Sequence, residues 1–172
     1  MGRLRHRTAP GCTYFVTTDA AGSKNIFQAT LVAEIVVSKL VFYRDEGAYL
    51  LHEFVLMPNH LHLILTPGQT TSLEKALQLI KGGSSFAIRK ARGNKLPIWQ
   101  PGFHEWTIRD AGDYEARRRY IWLNPVKAGL IENPEQWPFG SACGTYRLDV
   151  PPQGLKPLLN ATCDVGAEAP TP

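Results

Sequence analysis

Acidic side chains are missing from one long stretch of this 172-residue chain. From Lys75 to His104 there is no Asp or Glu, while Lys75, Lys81, Arg89, Lys90, Arg92 and Lys95 all fall there. A run of one sign suits a polyanion, although a solvated helix face has the same composition. The net charge of the whole chain is only +4, so the distribution says more than the sum. Cysteine is also scarce: Cys12, Cys143 and Cys163 are odd in number and lack Cys-x-x-Cys spacing, which supports neither a disulfide framework nor a zinc knuckle. No uncharged apolar run is long enough to span a bilayer, and the basic start Met1-Gly2-Arg3-Leu4-Arg5-His6-Arg7 has no apolar core behind it. The expectation is a cytoplasmic protein with no membrane partner. There is no internal repeat, and the length fits one domain with a single core.

Two periodicities organise what is present. Residues 12–18, rich in β-branched and aromatic side chains, predict a first strand closed by a loop at 20–23. Leu31, Val32, Ile35, Val36, Leu40 and Tyr43 follow helical spacing and predict a helix over 30–43. Residues 48–56 and 60–66 then predict a hairpin around Met57-Pro58-Asn59. Thr71-Ser72-Leu73-Glu74 has capping-box spacing, ahead of a stripe of Leu73, Ala76, Leu77 and Ile80. Gly82-Gly83 predicts a break, and residues 84–92 a second short helix ended by Gly93. After a proline-bounded extended segment over 96–103, residues 105–109 predict an edge strand. Asp110 or Asp113 then caps a helix over 114–124, which Pro125 should end. The aromatic group Trp137-Pro138-Phe139 is expected to dock on the body. The domain is drawn over 1–145, with a basic arm over 1–10, and the Pro-rich segment 146–172 is expected to be a flexible tail.

The chemistry concentrates in two places. On the predicted strand over 60–66, His60, His62 and Ile64 share one face while Leu61, Leu63 and Leu65 share the other. Two neutral imidazoles a strand step apart can turn one nitrogen each toward a common cation, but two ligands are too few for a metal site. On the predicted helix over 114–124, Tyr120 and Asn124 lie four residues apart and so on one face. Read blandly, the pair are strand histidines without a ligand and Tyr120 is a half-buried aromatic.

These segments carry a resemblance. Tyr14-Phe15-Val16-Thr17, Met57-Pro58-Asn59-His60-Leu61-His62, Trp99-Gln100, Phe103-His104-Glu105, Ile108-Arg109-Asp110 and the run Tyr120-Ile121-Trp122-Leu123-Asn124-Pro125-Val126-Lys127-Ala128-Gly129-Leu130 occur in one order over residues 5–142. In that order they resemble the REP-associated tyrosine transposases, part of the single-tyrosine HUH (His, hydrophobic, His) group. The resemblance implies an α+β, ferredoxin-like or RRM-like antiparallel sheet with helices packed on one face, the HUH endonuclease fold. It implies His60 and His62 as metal ligands, Asn124 as the third, Tyr120 as the nucleophile, and Mg²⁺ or Mn²⁺ as cofactor. The mobile insertion-sequence relatives commonly carry Gln where this chain has Asn124, a departure that leaves the chemistry intact.

The implied function is single-stranded DNA cleavage and strand transfer next to REP-type palindromic hairpins through a 5′-phosphotyrosine. A phosphotyrosine link conserves the phosphodiester energy for rejoining. Single-stranded or hairpin DNA is the expected partner, with Arg3, Arg5, Arg7, Lys81, Arg89, Lys90, Arg92, Arg109, Arg117 and Arg118 as candidate contacts. Homodimer and monomer both stay open. The competing class is a non-catalytic ferredoxin-like nucleic-acid-binding module. A two-histidine phosphoesterase would need paired His-x-Thr/Ser motifs, of which only His6-Arg7-Thr8 is present.

Overall fold

The structure, a computed structural model, describes residues 11–93 and 96–152. The elements run β1 (Tyr14–Asp19), α1 (Thr30–Asp45), β2 (Tyr49–Leu56), β3 (His60–Pro67), α2 (Leu73–Arg92), β4 (His104–Thr107) and α3 (Ala111–Lys127), with short 3₁₀ turns between and after them. The four strands form one antiparallel sheet in the order β2-β3-β1-β4. This is the α+β arrangement with a helix-flanked antiparallel sheet that the sequence motifs implied.

Strand alternation divides the protein into two layers of core. Tyr14, Val16, Leu61, Leu63 and Leu65 join Val36, Val37 and Leu40 of α1 and Leu73, Leu77, Ile80 and Ile88 of α2 in one buried cluster. On the opposite face Phe15, Val55 and Ile64 meet Tyr114 and Ile121 of α3. The helix layer on one face is therefore α1 and α2, and α3 crosses the other. Glu53 fastens α3 there, because its carboxylate accepts from Trp122 Nε1 at 2.8 Å and from the Ser141 hydroxyl.

Three local expectations are corrected. Gly82-Gly83 does not break the helix: α2 is continuous, because Ile80, Ser84 and Ile88 keep facing the core across the pair. A Cβ on Gly83 would collide with the Tyr43 ring, so this glycine lets α1 approach rather than ending α2. The N-cap of α2 is Ser72, one residue later than the box suggested, its side chain accepting from Lys75 N at 3.2 Å. Pro125 lies inside the last turn of α3 rather than ending it. Its ring costs that turn one backbone hydrogen bond, but it is buried, and Ala128 N–H still donates to Asn124 O at 3.0 Å.

The Trp137 indole donates to Leu56 O at 3.0 Å and Leu56 N–H donates to Phe139 O at 2.8 Å, which docks the aromatic group as expected. The body reaches past residue 145. Tyr146 lies edge-on to Phe54, and Asp149 receives Arg44 through both oxygens, at 2.8 and 2.5 Å, as well as Leu51 N–H at 2.8 Å. The rest of the expected tail, from residue 153, and the basic arm with Arg3, Arg5 and Arg7 lie outside the described residues.

Candidate active site

The face of the sheet under α3 holds the polar groups. Antiparallel pairing sets Thr17 opposite His62 and Asp19 opposite His60, so β1 and β3 project all four toward α3. The two imidazole rings are 4.6 Å apart, centre to centre, at 73°. Tyr120 comes down from α3 with its ring 5.1 Å from that of His62 and 5.9 Å from Phe15, edge-on to both. Phe15 in turn stacks on His62 at 5.4 Å. One turn further along α3, Asn124 comes close enough to His60 to favour its charged form. All four residues implied for catalysis therefore meet in a single chain.

Their surroundings suit the roles. His62 is buried, only 4% exposed, and burial, with a smaller contribution from His60, pushes its imidazole down to about 3. Burial also lowers His60, against Asp19 and Asn124, which favour its charged form. Both rings are neutral near neutral pH and keep a lone pair for a ligand. His62 Nδ1 lies 2.8 Å from Thr17 Oγ1, whereas its Nε2 is buried without a hydrogen-bond partner. His60 Nδ1 lies 2.7 Å from Asn59 Oδ1. Tyr120 is 42% exposed, open to an incoming strand.

Among the described residues, no three His, Cys, Asp or Glu side chains are grouped to hold a metal. The donor set here is of another composition, two imidazoles and the amide of Asn124. A buried, neutral, unpartnered nitrogen on His62 is an atom that a cation would satisfy, so the residues fit a divalent ion with borderline nitrogen and oxygen ligands.

The candidate DNA contacts do not form one cluster. Arg117 stands on the site face, its guanidinium over the rings of Phe15 at 5.2 Å and Trp106 at 5.6 Å. Arg109 is exposed at the entry to α3. Arg118 is engaged by Glu115 at 2.8 Å and lies over Trp122 at 4.6 Å. Lys81 turns into the protein, where its Nζ donates to Gln100 O and Gly102 O, both at 2.6 Å. Burial lowers this ammonium to about 8, against the pull of Asp19. Arg89, Lys90 and Arg92 are exposed on the last turns of α2, in the layer on the far side of the sheet, beside an exposed Phe86. Reasoning from sequence missed Thr17, Asp19 and Asn59. Strand alternation from Phe15 would have placed the first two beside the histidines, while Asn59 was read only as a turn residue.

The profile of the family described as "Transposase IS200 like" matches residues 10–124, well over half of the chain. The chain belongs to the IS200-like transposase family. A relative within it is the REP-associated tyrosine transposase of Escherichia coli K12, 28% identical over 159 residues, which cover 92% of this chain and 90% of that protein. A solved structure, of a REP-associated tyrosine transposase bound to a REP hairpin, superposes with a TM-score of 0.68 at 26% identity, covering 89% of this chain and 93% of the other. These matches bear out the REP-associated, single-tyrosine HUH assignment made from the motifs. Membership brings with it the general activity, cleavage and transfer of single-stranded DNA by a tyrosine transposase.

Proposed function

We propose that this chain is a metal-dependent single-stranded DNA endonuclease and strand transferase that cuts beside palindromic hairpins of the REP type through a 5′-phosphotyrosine. One observation carries the reading: Tyr120 stands over His62 while Asn124, one helical turn away, reaches His60. His60, His62 and Asn124 would hold Mg²⁺ or Mn²⁺, which when bound polarises a non-bridging oxygen of the scissile phosphate. The Tyr120 oxygen attacks phosphorus, the bond to the 3′-oxygen breaks, and the phenolic proton is released as the 3′-oxygen leaves as a hydroxyl. Rejoining is the reverse attack by a 3′-hydroxyl, with no nucleotide triphosphate. Phe15 and His62 fix the Tyr120 ring from below, so the nucleophile is oriented before DNA arrives.

The hairpin-bound relative supports a hairpin as the substrate. Arg117 above Phe15 and Trp106 suits phosphate contact beside stacked bases, with Arg109, Arg89, Lys90, Arg92 and the arm residues Arg3, Arg5 and Arg7 as further phosphate contacts. One chain supplies every proposed catalytic group, which suffices for the chemistry in either a monomer or a homodimer, acting on DNA in the cytoplasm. Residues 1–145 hold the catalytic unit, with the following segment anchored as far as Asp149.

The deciding experiment is Tyr120→Phe, which removes one oxygen and keeps the ring. Wild type should cut a single-stranded oligonucleotide carrying a flanking palindromic hairpin, leave a free 3′-hydroxyl, and retain the 5′ end as an adduct that survives denaturation and maps to Tyr120. The Phe variant should bind the same DNA and cut nothing. Release of both ends would indicate a hydrolytic nuclease. Absence of cutting by wild type with either metal would favour the non-catalytic binding module.

A further inference from the structure

We infer that Thr17 and Asn59 are positioning residues that hold His62 and His60 as Nδ1–H tautomers, leaving the Nε2 lone pair of each ring for the cation. The inference rests on the proposed metal-dependent reading but concerns only the protein's own hydrogen bonds. Asn59 Oδ1 can accept but never donate, so at 2.7 Å from His60 Nδ1 it requires the proton on that nitrogen. Neutral imidazole carries one N–H, and Nε2 of His60 is then the lone-pair atom. The Thr17 hydroxyl, 2.8 Å from His62 Nδ1, can play either part. What decides the direction is the other end of the ring. Nε2 of His62 is buried without a partner. A proton there would be a buried donor with no acceptor among the described residues to take it, whereas a lone pair there is satisfied by a bound cation.

Each positioning group comes from the backbone element that fixes its histidine. Thr17 is the cross-strand partner of His62, and Asn59 closes the turn immediately before His60. The hairpin and the β1–β3 pairing therefore set the tautomers as well as the ring positions.

The test uses the full chain, metal-free, with ¹⁵N-labelled histidine. Long-range proton–nitrogen spectra at neutral pH should show protonated Nδ1 and bare Nε2 on both His60 and His62. Thr17→Val keeps the side-chain shape without the hydroxyl and should weaken Mn²⁺ binding, read by calorimetry or electron paramagnetic resonance without DNA, by about 10- to 100-fold. Thr17→Ser should restore it. Asn59→Leu should do the same through His60, and Asn59→Asp, which still accepts, should restore it. A wild type that binds Mn²⁺ yet carries its proton on Nε2 of either ring would overturn the inference alone. So would wild-type Mn²⁺ affinity in both Thr17→Val and Asn59→Leu. A wild type with both Nδ1–H tautomers and no Mn²⁺ affinity would uphold the tautomers and overturn the metal reading instead.

Discussion

The two faces of the sheet are built from the same strands and do different work. Along β3, Leu61, Leu63 and Leu65 are fully buried under α1 and α2, while His60, His62 and Ile64 face α3. The first face is packed mainly by apolar side chains, and its one buried hydroxyl without a partner among the described residues, Thr18 Oγ1, is uncharged and remote from the histidines' side of the sheet. The second keeps a buried nitrogen without a partner, a buried carboxylate on Glu53, and the proposed nucleophile Tyr120, open to solvent. Stability is concentrated in one layer and reactivity in the other, and a single residue step along β3 crosses from one to the other.

The sharpest way to test that division is with neighbours on one strand. His60→Ala should reduce Mg²⁺- or Mn²⁺-dependent cleavage below detection, because it removes one of the three proposed ligands, and the folded protein should persist in circular dichroism. Cleavage by wild type should stop in excess EDTA, and Mn²⁺ should support it at lower concentration than Mg²⁺. Undiminished nicking in EDTA would break the assignment. Leu61→Ala, one residue along, should leave the chemistry intact and cost about 2–5 kcal/mol of stability in a urea titration, as a fully buried leucine under two helices does.

Mild acid, between neutral pH and pH 5, should weaken the α3 side of the sheet. Burial lowers His52, His60 and His62, and all three lie on the α3 side, where His52 bonds Thr66 and faces Tyr114. As pH falls below the unfolded value of 6.5, the unfolded chain takes up protons that the native chain refuses, so stability drops. For His62 that loss continues down to about pH 3, at no more than about 1.4 kcal/mol per pH unit. Glu53 works the other way. Burial raises its carboxyl above 4.5, so between that value and its folded pKa the native state binds the extra proton and the drop is partly offset. Urea midpoints at neutral pH and at pH 5 should show the net fall, and Leu61→Ala should cost the same at both. A pH-independent midpoint would show that the histidines are not desolvated as described.

The smallest effect is expected from the far layer. Replacing Arg89, Lys90 and Arg92 with Ala should leave cleavage at saturating DNA near wild type. It should flatten the salt dependence of binding by up to about 2 in logarithmic slope, since each phosphate contact on a single strand accounts for roughly 0.7. An unchanged slope would make that cluster a solvated face and leave DNA binding to the α3 side.

The sequence by itself determined the strands and the division of β3, because period-two alternation needs no knowledge of neighbours. It also put the two histidines on one strand face and Tyr120 with Asn124 on one helix face, through spacings of two and four that survive any packing. The motif pair Met-Pro-Asn-His-x-His and Tyr-x-x-x-Asn-Pro-Val pointed to the family before any coordinate did. Local rules misjudged Gly82-Gly83 and Pro125 because burial against other elements outweighs the small penalties those residues carry, a cost of about 1 kcal/mol for glycine and one lost bond for proline. Lys81 looked like part of a basic surface, yet the fold brings it to the carbonyls of Gln100 and Gly102, about twenty residues on. α3 lies over β3, bringing Tyr120 to His62 and Asn124 to His60, where Tyr114 and Ile121 pack on Phe15, Val55 and Ile64 and Glu53 receives Trp122 and Ser141. Only the tertiary structure decided this, because the groups that join the two constellations are separated by some seventy to ninety residues and share no local pattern.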